Sequence, residues 1–551
     1  MITANRKKKI LLCNEASFLN TGYATYGREL MKRLYASDKY ELAELSTYAS
    51  YGDERFSQIP WKTYSNLPDP NDQEEANLYG SNITYQFGEF KFEYVLLDFQ
   101  PDIVVDIRDW WMLEFEERSP FRGLFYWAIM PTVDAEPQNE QWLATYASAD
   151  AVFNYSDWGY ELLKKEGGGN IKCLGSAPPS SDAAYVPVAD KDAHKSKMGL
   201  NPQCKIVGTI MRNQRRKLFP DLFKSFRKYL DITKDPDTYL YCHTCYPDVG
   251  WDIPRLLKQY DVASRTIFTY KCNKCNGIAP SIYQDIVMQC PHCGVHASQL
   301  ANVQKGLSCK EFAEIINIFD LYIQYANSEG FGLPQVEAAS CGVPVMSVDY
   351  SAMESVVRKV SGTPLKLKAK YLELETGCYR AVPDNDYTVK QLVEFFSLTK
   401  EQRTQKGIDT RLAFEKNYGW DKTAEIWMSY FDSVPIRPIE ETWHSPPRLH
   451  NPVESIPEGL SKSEQASFLI ANVYGEPEKI NTYMWARMAK DLNLGTWTQG
   501  SVGDMYFNED AHIDSQKSIQ PFDLETAYKL CHNMCMHRNQ WESERAARFK
   551  L

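Results

Sequence analysis

The stretch NSEGFGLPQVEAASCGVPV, residues 327–345, decides the interpretation of this sequence. It places Gly330 and Gly332 after a short apolar run and directly before a helix-forming segment. A turn that opens a helix leaves backbone N–H groups free to bind an anion, and glycines let a phosphate approach closely. Glu329 precedes the turn, and Glu337 lies two helical turns further on, where a carboxylate can accept from sugar hydroxyls. The alternative is a glycine-capped loop with two solvated glutamates.

Short apolar runs alternate with amphipathic stretches on both sides of a polar linker at 178–197. This alternation is typical of mostly parallel sheets with helical crossovers. Strands are predicted at 8–14, 102–109, 124–131, 151–156, 171–176, 205–213, 238–244, 266–270 and 343–349, helices at 23–37 and 218–232, and a helix running into a strand at 312–325. The sequence therefore predicts an α/β fold with domains at 1–180 and 181–417, a closing helix at 418–434 and a mainly helical extension at 435–551.

The composition of the 551 residues is that of a globular protein, with 43% hydrophobic and 24% charged residues. This excludes intrinsically disordered and collagen-like chains. The net charge of −11 argues against a protein that coats polyanions through bulk charge. The apolar run at 123–130 is far shorter than the roughly 20 residues of a membrane span. The basic start reads as a first buried strand rather than a signal peptide, so we expect no membrane span and a cytoplasmic location.

Four cysteines in two Cys-x-x-Cys pairs predict a structural zinc ribbon. Cys272, Cys275, Cys290 and Cys293 have spacings that suit tetrahedral zinc, although the gap of fourteen residues between the pairs is one short of the usual range. The ribbon is an insertion at 271–305. Because all four thiolates would hold the ion, we expect no catalytic role for this metal.

Two further cysteine groups give weaker signals. Cys242 and Cys245 lie at the end of a predicted strand without a second pair, so plain strand cysteines are favoured over a metal site. A Cys/His cluster at 531–537 is either a second metal site or, as we favour, a packed helix face.

The stretch at 327–345 resembles the Glu-x7-Glu motif of retaining glycosyltransferases of family 4, which have the GT-B fold. TGYATYGREL (21–30) resembles the family's N-terminal glycine turn and first helix, and ADAVFNYSDWGYELL (149–163) a strand and helix late in its first domain. GTIMRNQRRKLFPDL (208–222) is similar to the segment that carries its phosphate-binding Arg and Lys. The order and spacing of these segments match over about residues 8–430. The resemblance implies two Rossmann-like domains with the donor in the cleft between them.

The resemblance also implies residue roles and a nucleotide-sugar donor, for which we expect a UDP-sugar. Preorganised cations and N–H groups can stabilise a departing diphosphate, so no catalytic metal is expected. Arg212 and Lys217 would bind the diphosphate, a role that Arg215 or Arg216 could share. Glu329 would contact the transferred sugar and Glu337 the ribose. Backbone amides would be offered to the donor by Gly330, Phe331, Gly332 and Leu333, and Gly22 would let the first domain approach the phosphate.

Two features of the first domain depart from the family or stay open. Many family members carry a histidine that faces the donor sugar, whereas the corresponding stretch here, MPTVDAEP (130–137), has none. Asp134 is the nearest polar candidate, either as a catalytic residue that orients or deprotonates the acceptor hydroxyl or as a helix cap. Asp106, Arg108 and Asp109 end a predicted strand, where ligand crevices of α/β sheets lie; a local ion-pair cluster is the alternative.

The acidic triplet Asp384-Asn385-Asp386 matches the Asp-x-Asp pattern of metal-dependent glycosyltransferases. It lies in a predicted turn of a chain that resembles the metal-independent fold. We therefore expect no metal role for it.

The chain is similar overall to glycosyltransferases encoded by tailed phages, some of which modify hydroxymethylated pyrimidines in DNA. This similarity favours a DNA acceptor, with a cell-surface glycan or other non-DNA acceptor as the alternative, and a host-cell cytoplasmic location. A competing hypothesis from another class is an inert zinc-ribbon protein that binds nucleic acid or a sugar nucleotide. Trp110, Trp111, Tyr126 and Trp127 are predicted to receive a flipped base, or otherwise to pack in the core. The oligomeric state is not determined by the sequence.

Overall fold

The structure is a computed structural model that describes residues 6–119, 121–302, 306–438 and 443. Beyond these it describes residues 458–460, 468, 496–499 and 505–508. Two large sheets organise the chain, one in each half.

The first sheet has seven strands, and all of its pairings are parallel. Its central strands are buried along their whole length, which is expected when helices cover both faces of a parallel sheet. In chain order the strands are β1 (Lys8–Glu15), β2 (Tyr40–Thr47), β3 (Lys62–Ser65), β4 (Ile103–Asp106), β5 (Tyr126–Ile129), β6 (Ala151–Asn154) and β7 (Cys173–Ser176). Across the sheet the order is β3-β2-β1-β4-β5-β6-β7.

Six α-helices connect these strands. The first begins where the Thr21 side chain accepts the N–H of Ala24, and it buries apolar residues at helical spacing such as Leu30 and Leu34. The helices are α1 (Gly22–Ser37), α2 (Gln73–Gly80), α3 (Glu89–Phe99), α4 (Trp110–Arg118), α5 (Glu140–Ser148) and α6 (Asp157–Glu166).

The second sheet has nine strands and combines a parallel core with an antiparallel ribbon at one edge. The strands are β8 (Lys205–Ile210), β9 (Thr238–His243), β10 (Thr266–Cys272), β11 (Ile278–Ile282), β12 (Met288–Gln289), β13 (His296–Leu300), β14 (Leu321–Gln324), β15 (Val345–Val348) and β16 (Thr363–Leu365). The parallel core runs β10-β9-β8-β14-β15-β16, while β11, β12 and β13 form the ribbon on β10.

Helices again cover the parallel core. In α8, Leu222, Phe223, Phe226 and Leu230 are buried at the spacing of one helix face. The helices of this half are α7 (Lys191–Lys197), α8 (Phe219–Thr233), α9 (Ile253–Gln259), α10 (Cys309–Ile316), α11 (Leu333–Ser340) and α12 (Ala352–Lys359).

After the second sheet the chain forms a hairpin and three helices, and the last helix returns to the first domain. These elements are β17 (Leu367–Glu373), β18 (Cys378–Pro383), α13 (Asn385–Ser397), α14 (Lys400–Asn417) and α15 (Trp420–Ser433). The indole N–H of Trp427 in α15 donates to the Tyr26 hydroxyl in α1 at 2.8 Å. Trp443 is buried against Phe121 of the first domain.

The predicted α/β fold with two Rossmann-like sheets is confirmed. The polar linker differs in part from its prediction, because Asp190 caps the short helix α7 within it. The predicted helical character of 435–551 falls almost entirely outside the described residues, as does the Cys/His cluster at 531–537. The described part there includes an antiparallel pair, β19 (Thr496–Gln499) and β20 (Met505–Asn508).

No helix in the described part of the chain is long and apolar enough to cross a membrane.

Candidate active site

Glu329 is a buried carboxylate at the centre of a cluster of charges and hydrogen bonds. It follows the carboxyl end of β14 and is 5% exposed. Its carboxylate accepts from the ammonium of Lys217, from the guanidinium of Arg216 at 2.7 Å and from the amide of Gln324 at 2.8 Å. Burial alone would raise the pKa of Glu329, but the two cations outweigh it and hold the pKa at about 2. Glu329 is therefore ionised at neutral pH.

The turn after Glu329 is shaped by two glycines. Gly332 has a φ of +84°, which glycine adopts without strain, and it precedes the first turn of α11. Gly330 lies against Thr132 of the first domain, where a Cβ on residue 330 would meet the Thr132 methyl carbon at 2.3 Å. The N–H groups of residues 330–333 have no partner within the helix, whereas Pro334 lacks an N–H and the N–H of Gln335 donates to the Gly332 carbonyl at 3.1 Å. The turn thus presents backbone amides in a cleft between the two domains.

The side chains of this turn pack against other residues instead of lining the cleft. Phe331 is buried, with its ring edge-on to Tyr418 at 6.0 Å, and Leu333 packs against the core. Their backbone amides are therefore the groups that the turn offers to a ligand.

The structure brings Arg216 onto Glu329 and places Arg212 elsewhere. The Arg212 guanidinium pairs with Asp248 at 3.1 Å and is half-exposed. The reason is the path of the loop after β8, in which the N–H of Asn327 donates to the Arg216 carbonyl and holds residues 216–217 beside the end of β14. Of the four cations in this loop, Arg216 and Lys217 thus contact Glu329.

Glu337 faces the segment that connects the two domains. Burial raises the pKa of Glu337 to about 7, the Tyr185 hydroxyl opposes this by hydrogen bonding, and Asp182 adds to it. The Glu337 carboxyl group is therefore shielded from water and lies beside the Tyr185 hydroxyl.

Asp109 lies on the first-domain side of the cleft. Burial raises the pKa of Asp109 to about 6, while the hydroxyls of Thr132 and Tyr23 stabilise its charged form. Those two hydroxyls lie 2.9 Å apart. Gly22, next to Tyr23, begins α1 and has open space where a Cβ would stand.

Asp134 is neither free nor a helix cap. Its carboxylate accepts from the Arg380 guanidinium at 2.9 Å and from the Ser328 hydroxyl at 3.2 Å. Both partners belong to the second domain, so Asp134 is part of a bridge across the cleft.

The four ribbon cysteines converge on one point. Their sulfurs all lie within 4.8 Å of one another, with 3.7 Å between Cys272 and Cys293 and 3.6 Å between Cys275 and Cys290. Zinc–sulfur bonds of about 2.3 Å in a tetrahedron require sulfurs about 3.8 Å apart. The cluster is therefore compatible with a zinc ion. Because Cys272 ends β10, the ribbon projects from the same edge of the sheet that carries Glu329.

The weaker sequence signals have structural explanations. Cys242 is in the core and Cys245 contacts Asp248, and neither belongs to a metal-binding group among the described residues. Asp384 caps α13 by accepting from two backbone N–H groups, and Asp386 pairs with Lys228.

In two groups of candidates, the polar cluster at the end of β4 and the four aromatic residues, the structure places only some members near the cleft. Asp106 and Arg108 form a fully buried ion pair, and only Asp109 of that cluster reaches the cleft. Trp127 is buried in the core and Tyr126 packs under Arg437, because both lie at the start of β5 and the cleft faces its carboxyl end. The prediction that these two rings line the cleft is therefore wrong.

Trp110 and Trp111 follow Asp109 at the start of α4. Trp110 stacks on Trp142 with 5.4 Å between ring centroids, and Trp111 is 46% exposed. Trp110 and Trp142 also pack against the first-domain core, so Trp111, two residues after Asp109, is the ring that stays exposed.

Several residues of the cluster were not singled out from the sequence. They are Gln324, Ser328 and Arg380 around Glu329, and Tyr23 and Thr132 around Asp109. Gln324 and Ser328 flank the Glu329 motif, so proximity was a signal for them. Arg380 lies 52 residues from Ser328 in the chain and carried no local signal.

Residues 297–363, which include Glu329 and Glu337, match the family described as glycosyl transferases group 1. No curated protein sequence matches the chain. Sucrose-phosphate synthase from Thermosynechococcus elongatus is structurally similar, with a TM-score of 0.56, 15% identity, and coverage of 78% of this chain and 98% of that chain. A Rickettsia africae glycosyltransferase gives a TM-score of 0.53 at 11% identity, covering 78% and 99%. Anabaena HepE, solved with UDP and glucose, gives 0.52 at 12% identity, covering 77% and 100%.

The fold is GT-B. The group 1 match and this fold together indicate glycosyl transfer from a nucleotide sugar. The match lies within the second domain and carries the Glu329 turn.

Proposed function

We propose that this protein is a retaining glycosyltransferase, related to family 4, that moves a sugar from a UDP-sugar to an acceptor hydroxyl. The observation that carries the proposal is the Glu329 carboxylate, held in the interdomain cleft by Lys217 and Arg216 beside the amides of the α11 turn. The structurally similar HepE has been solved with UDP and with UDP-glucose, which supports a uridine donor.

In the proposed reaction the bond between the sugar C1 and the diphosphate oxygen breaks, and the acceptor oxygen bonds to C1. Arg216, Lys217 and the N–H groups of residues 330–333 stabilise the charge that develops on the diphosphate, which is the role a catalytic metal plays elsewhere. A carboxylate with a pKa of about 2 is a weak base. Glu329 therefore binds a sugar hydroxyl, and the acceptor proton leaves on the diphosphate oxygen.

The remaining site residues have supporting roles in this proposal. Glu337 binds the ribose hydroxyls, and Gly22 lets the first domain approach the diphosphate. Asp134 is occupied by its hydrogen bonds to Arg380 and Ser328, so it acts through the bridge across the cleft rather than as the base.

The ribbon cysteines hold a structural zinc ion in the proposed enzyme. The sulfur geometry supports this, and the backbone N–H groups of Lys274, Gly277 and His292 point at three of the sulfurs at 3.4 Å. Four protein ligands leave no open position on the ion for substrate.

For the acceptor we propose a hydroxymethylated pyrimidine in DNA. The exposed ring of Trp111, two residues after Asp109, supports this, because a base flipped from the duplex needs an aromatic surface. A glycan acceptor is the alternative, since aromatic rings also pack against sugars.

The test is incubation with a panel of sugar nucleotides and three acceptors: hydroxymethylated duplex DNA, the same duplex without the hydroxyl, and small glycans. We expect mass spectrometry to show one added sugar on the hydroxymethylated duplex alone, and NMR to show the donor's anomeric configuration retained. Glu329→Gln is the control for adventitious activity. Transfer to glycans only would show that the acceptor is a glycan and not DNA. Nucleotide binding without any transfer would favour an inert binding protein.

A further inference from the structure

The β17–β18 hairpin carries an arginine that contacts both sides of the cleft. The Arg380 side chain is only 10% exposed. One of its terminal nitrogens donates to the Ser328 hydroxyl at 2.7 Å and to the Asp134 carboxylate at 2.9 Å. Its Nε and second terminal nitrogen donate to Glu373 at 2.9 and 2.7 Å.

The hairpin around Arg380 is fixed to the donor side of the site. The N–H of Ala381 donates to the carbonyl of Asn327 at 2.9 Å, and the Asn327 amide donates to the Tyr371 hydroxyl at 3.0 Å. These bonds place the hairpin directly beside the residues that lead into Glu329.

The same hairpin is fixed to the first domain. The N–H of Tyr379 donates to the carbonyl of Glu136 at 2.7 Å, and the Lys370 ammonium pairs with the Glu136 carboxylate at 2.5 Å. The loop at 134–137 is thus held against the hairpin by backbone and side-chain bonds.

The chemistry of these contacts requires an arginine. A guanidinium is planar, with donors in a fixed fork, and it can bind Glu373 along one edge while reaching two further acceptors with another nitrogen. A lysine ammonium on a flexible stem cannot hold the same three partners in one plane. Because Ser328 adjoins Glu329, fixing Ser328 limits how the Glu329 backbone can move.

We propose that Arg380 is a positioning residue that holds the Ser328–Glu329 segment in its sugar-binding arrangement and couples it to Asp134 across the cleft. This inference rests on the proposed function, in which Glu329 contacts the sugar of the donor. Arg380 itself touches Ser328, Asp134 and Glu373, and it acts on the donor through Glu329.

Equilibrium binding of two probes separates positioning from folding. UDP contacts the diphosphate and nucleotide sites, whereas UDP-glucose also reaches Glu329. We expect Arg380→Met to weaken UDP-glucose binding by about tenfold or more, the effect of losing a charge-assisted hydrogen bond, while UDP binding stays within twofold of wild type. Arg380→Lys should recover only part of the loss. Arg227→Met is the matched control and should change neither affinity. It removes ion pairs with Asp231 and Asp261 near the start of β10, whereas Glu329 follows the end of β14.

A double variant distinguishes positioning from charge balance. Arg380→Met leaves the Asp134 and Glu373 carboxylates without their cation, and Asp134→Asn in the same chain removes the unpaired charge on the first-domain side. If Arg380 positions Ser328, the double variant stays impaired for UDP-glucose.

Full recovery in the double variant, or wild-type UDP-glucose affinity in Arg380→Met, would overturn the inference. Equal weakening of UDP and UDP-glucose would also overturn it, since that pattern indicates a general structural defect. A wild-type protein that binds neither probe would instead refute the proposed donor, and the inference with it.

Discussion

Gly330 and Thr132 are in direct contact across the cleft, so close that a Cβ on residue 330 would lie 2.3 Å from the Thr132 methyl carbon. One residue belongs to the turn after Glu329 and the other to the loop after β5. The contact shows that the two domains meet at the proposed sugar site. A residue with a side chain at position 330 would force them apart.

We therefore expect Gly330→Ala to reduce turnover on the order of 10²-fold, because displacement of the reacting groups by about 1 Å has an effect of this size. Adding Thr132→Ser should restore much of the activity. Serine lacks the clashing methyl carbon, and the Thr132 Cβ would be 3.6 Å from the new atom, an ordinary contact. Gly123→Ala, where the added Cβ meets no atom within 4 Å, is the control. If the double variant were no better than Gly330→Ala, the clash would not be the cause.

The two arginines of the loop after β8 should differ in importance. Arg216→Ala removes a cation bound to Glu329 and should lower kcat on the order of 10²-fold to 10³-fold. Arg212→Ala removes a half-exposed partner of Asp248 and should have a smaller effect. Steady-state kinetics with both variants in parallel tests this order. A larger loss in Arg212→Ala would show that Arg212 turns to the diphosphate when the donor binds.

Lys217 should set the alkaline limit of activity. Burial lowers the pKa of Lys217 to about 8, although Glu329 beside it favours the charged form. As the pH rises through this value, the ammonium loses the charge that faces Glu329 and the diphosphate. We expect kcat/KM to fall above about pH 8, and Lys217→Arg to extend activity to higher pH because a guanidinium stays protonated. An unchanged alkaline limb in that variant would assign the ionisation to another group.

The ribbon should bind one zinc ion per chain. Changing both exposed ligands, Cys275 and Cys293, to serine should abolish zinc binding and unfold the ribbon, because structural zinc contributes roughly 10–16 kcal/mol of apparent binding energy. The two large sheets have their own cores, so the main unfolding transition should persist. Elemental analysis and thermal melting measure the two effects. Zinc-free protein purified without chelators would contradict the assignment.

Transfer should need no added magnesium or manganese. Asp384 caps α13 through its side chain, so Asp384→Ala should lower the free energy of unfolding by about 1 kcal/mol and leave kcat unchanged. Assays with and without a chelator too weak to strip the ribbon test the first point, and denaturant titration tests the second. The proposed metal-independent reaction would be overturned if transfer strictly required a divalent ion and if Asp384→Ala abolished that transfer.

Much of this fold was predictable because its signals are local. Apolar runs of four to eight residues predicted most strands of both parallel cores, and Thr21 before an apolar periodicity marks the start of α1. Several strands were predicted to extend further than they do in the structure. DIVVDIRD, for example, forms a strand only over Ile103–Asp106, because Arg108 bends back onto Asp106 in a buried ion pair before the chain reaches Asp109 at the cleft.

The candidate site was predictable in outline and not in its pairings. The Glu329 turn and the basic loop at 212–217 both appeared in the sequence, but four cations in seven residues are equivalent until a backbone path separates them. The bond from Asn327 to the Arg216 carbonyl makes that separation. The aromatic candidates failed in half of the cases for a similar reason, since the direction of β5 decides which of its ends faces the cleft.

The sequence by itself determined the α/β elements, the glycine turn with its two glutamates and the two cysteine pairs of the ribbon, because each depends on residues a few positions apart. Only the tertiary structure decided that Arg216 meets Glu329, that Asp134 pairs with Arg380 and that Thr132 presses on Gly330. Asp134 and Arg380 are 246 positions apart in the chain. Contacts of that kind depend on sheet register and on how two domains meet, and neither leaves a pattern in the local sequence.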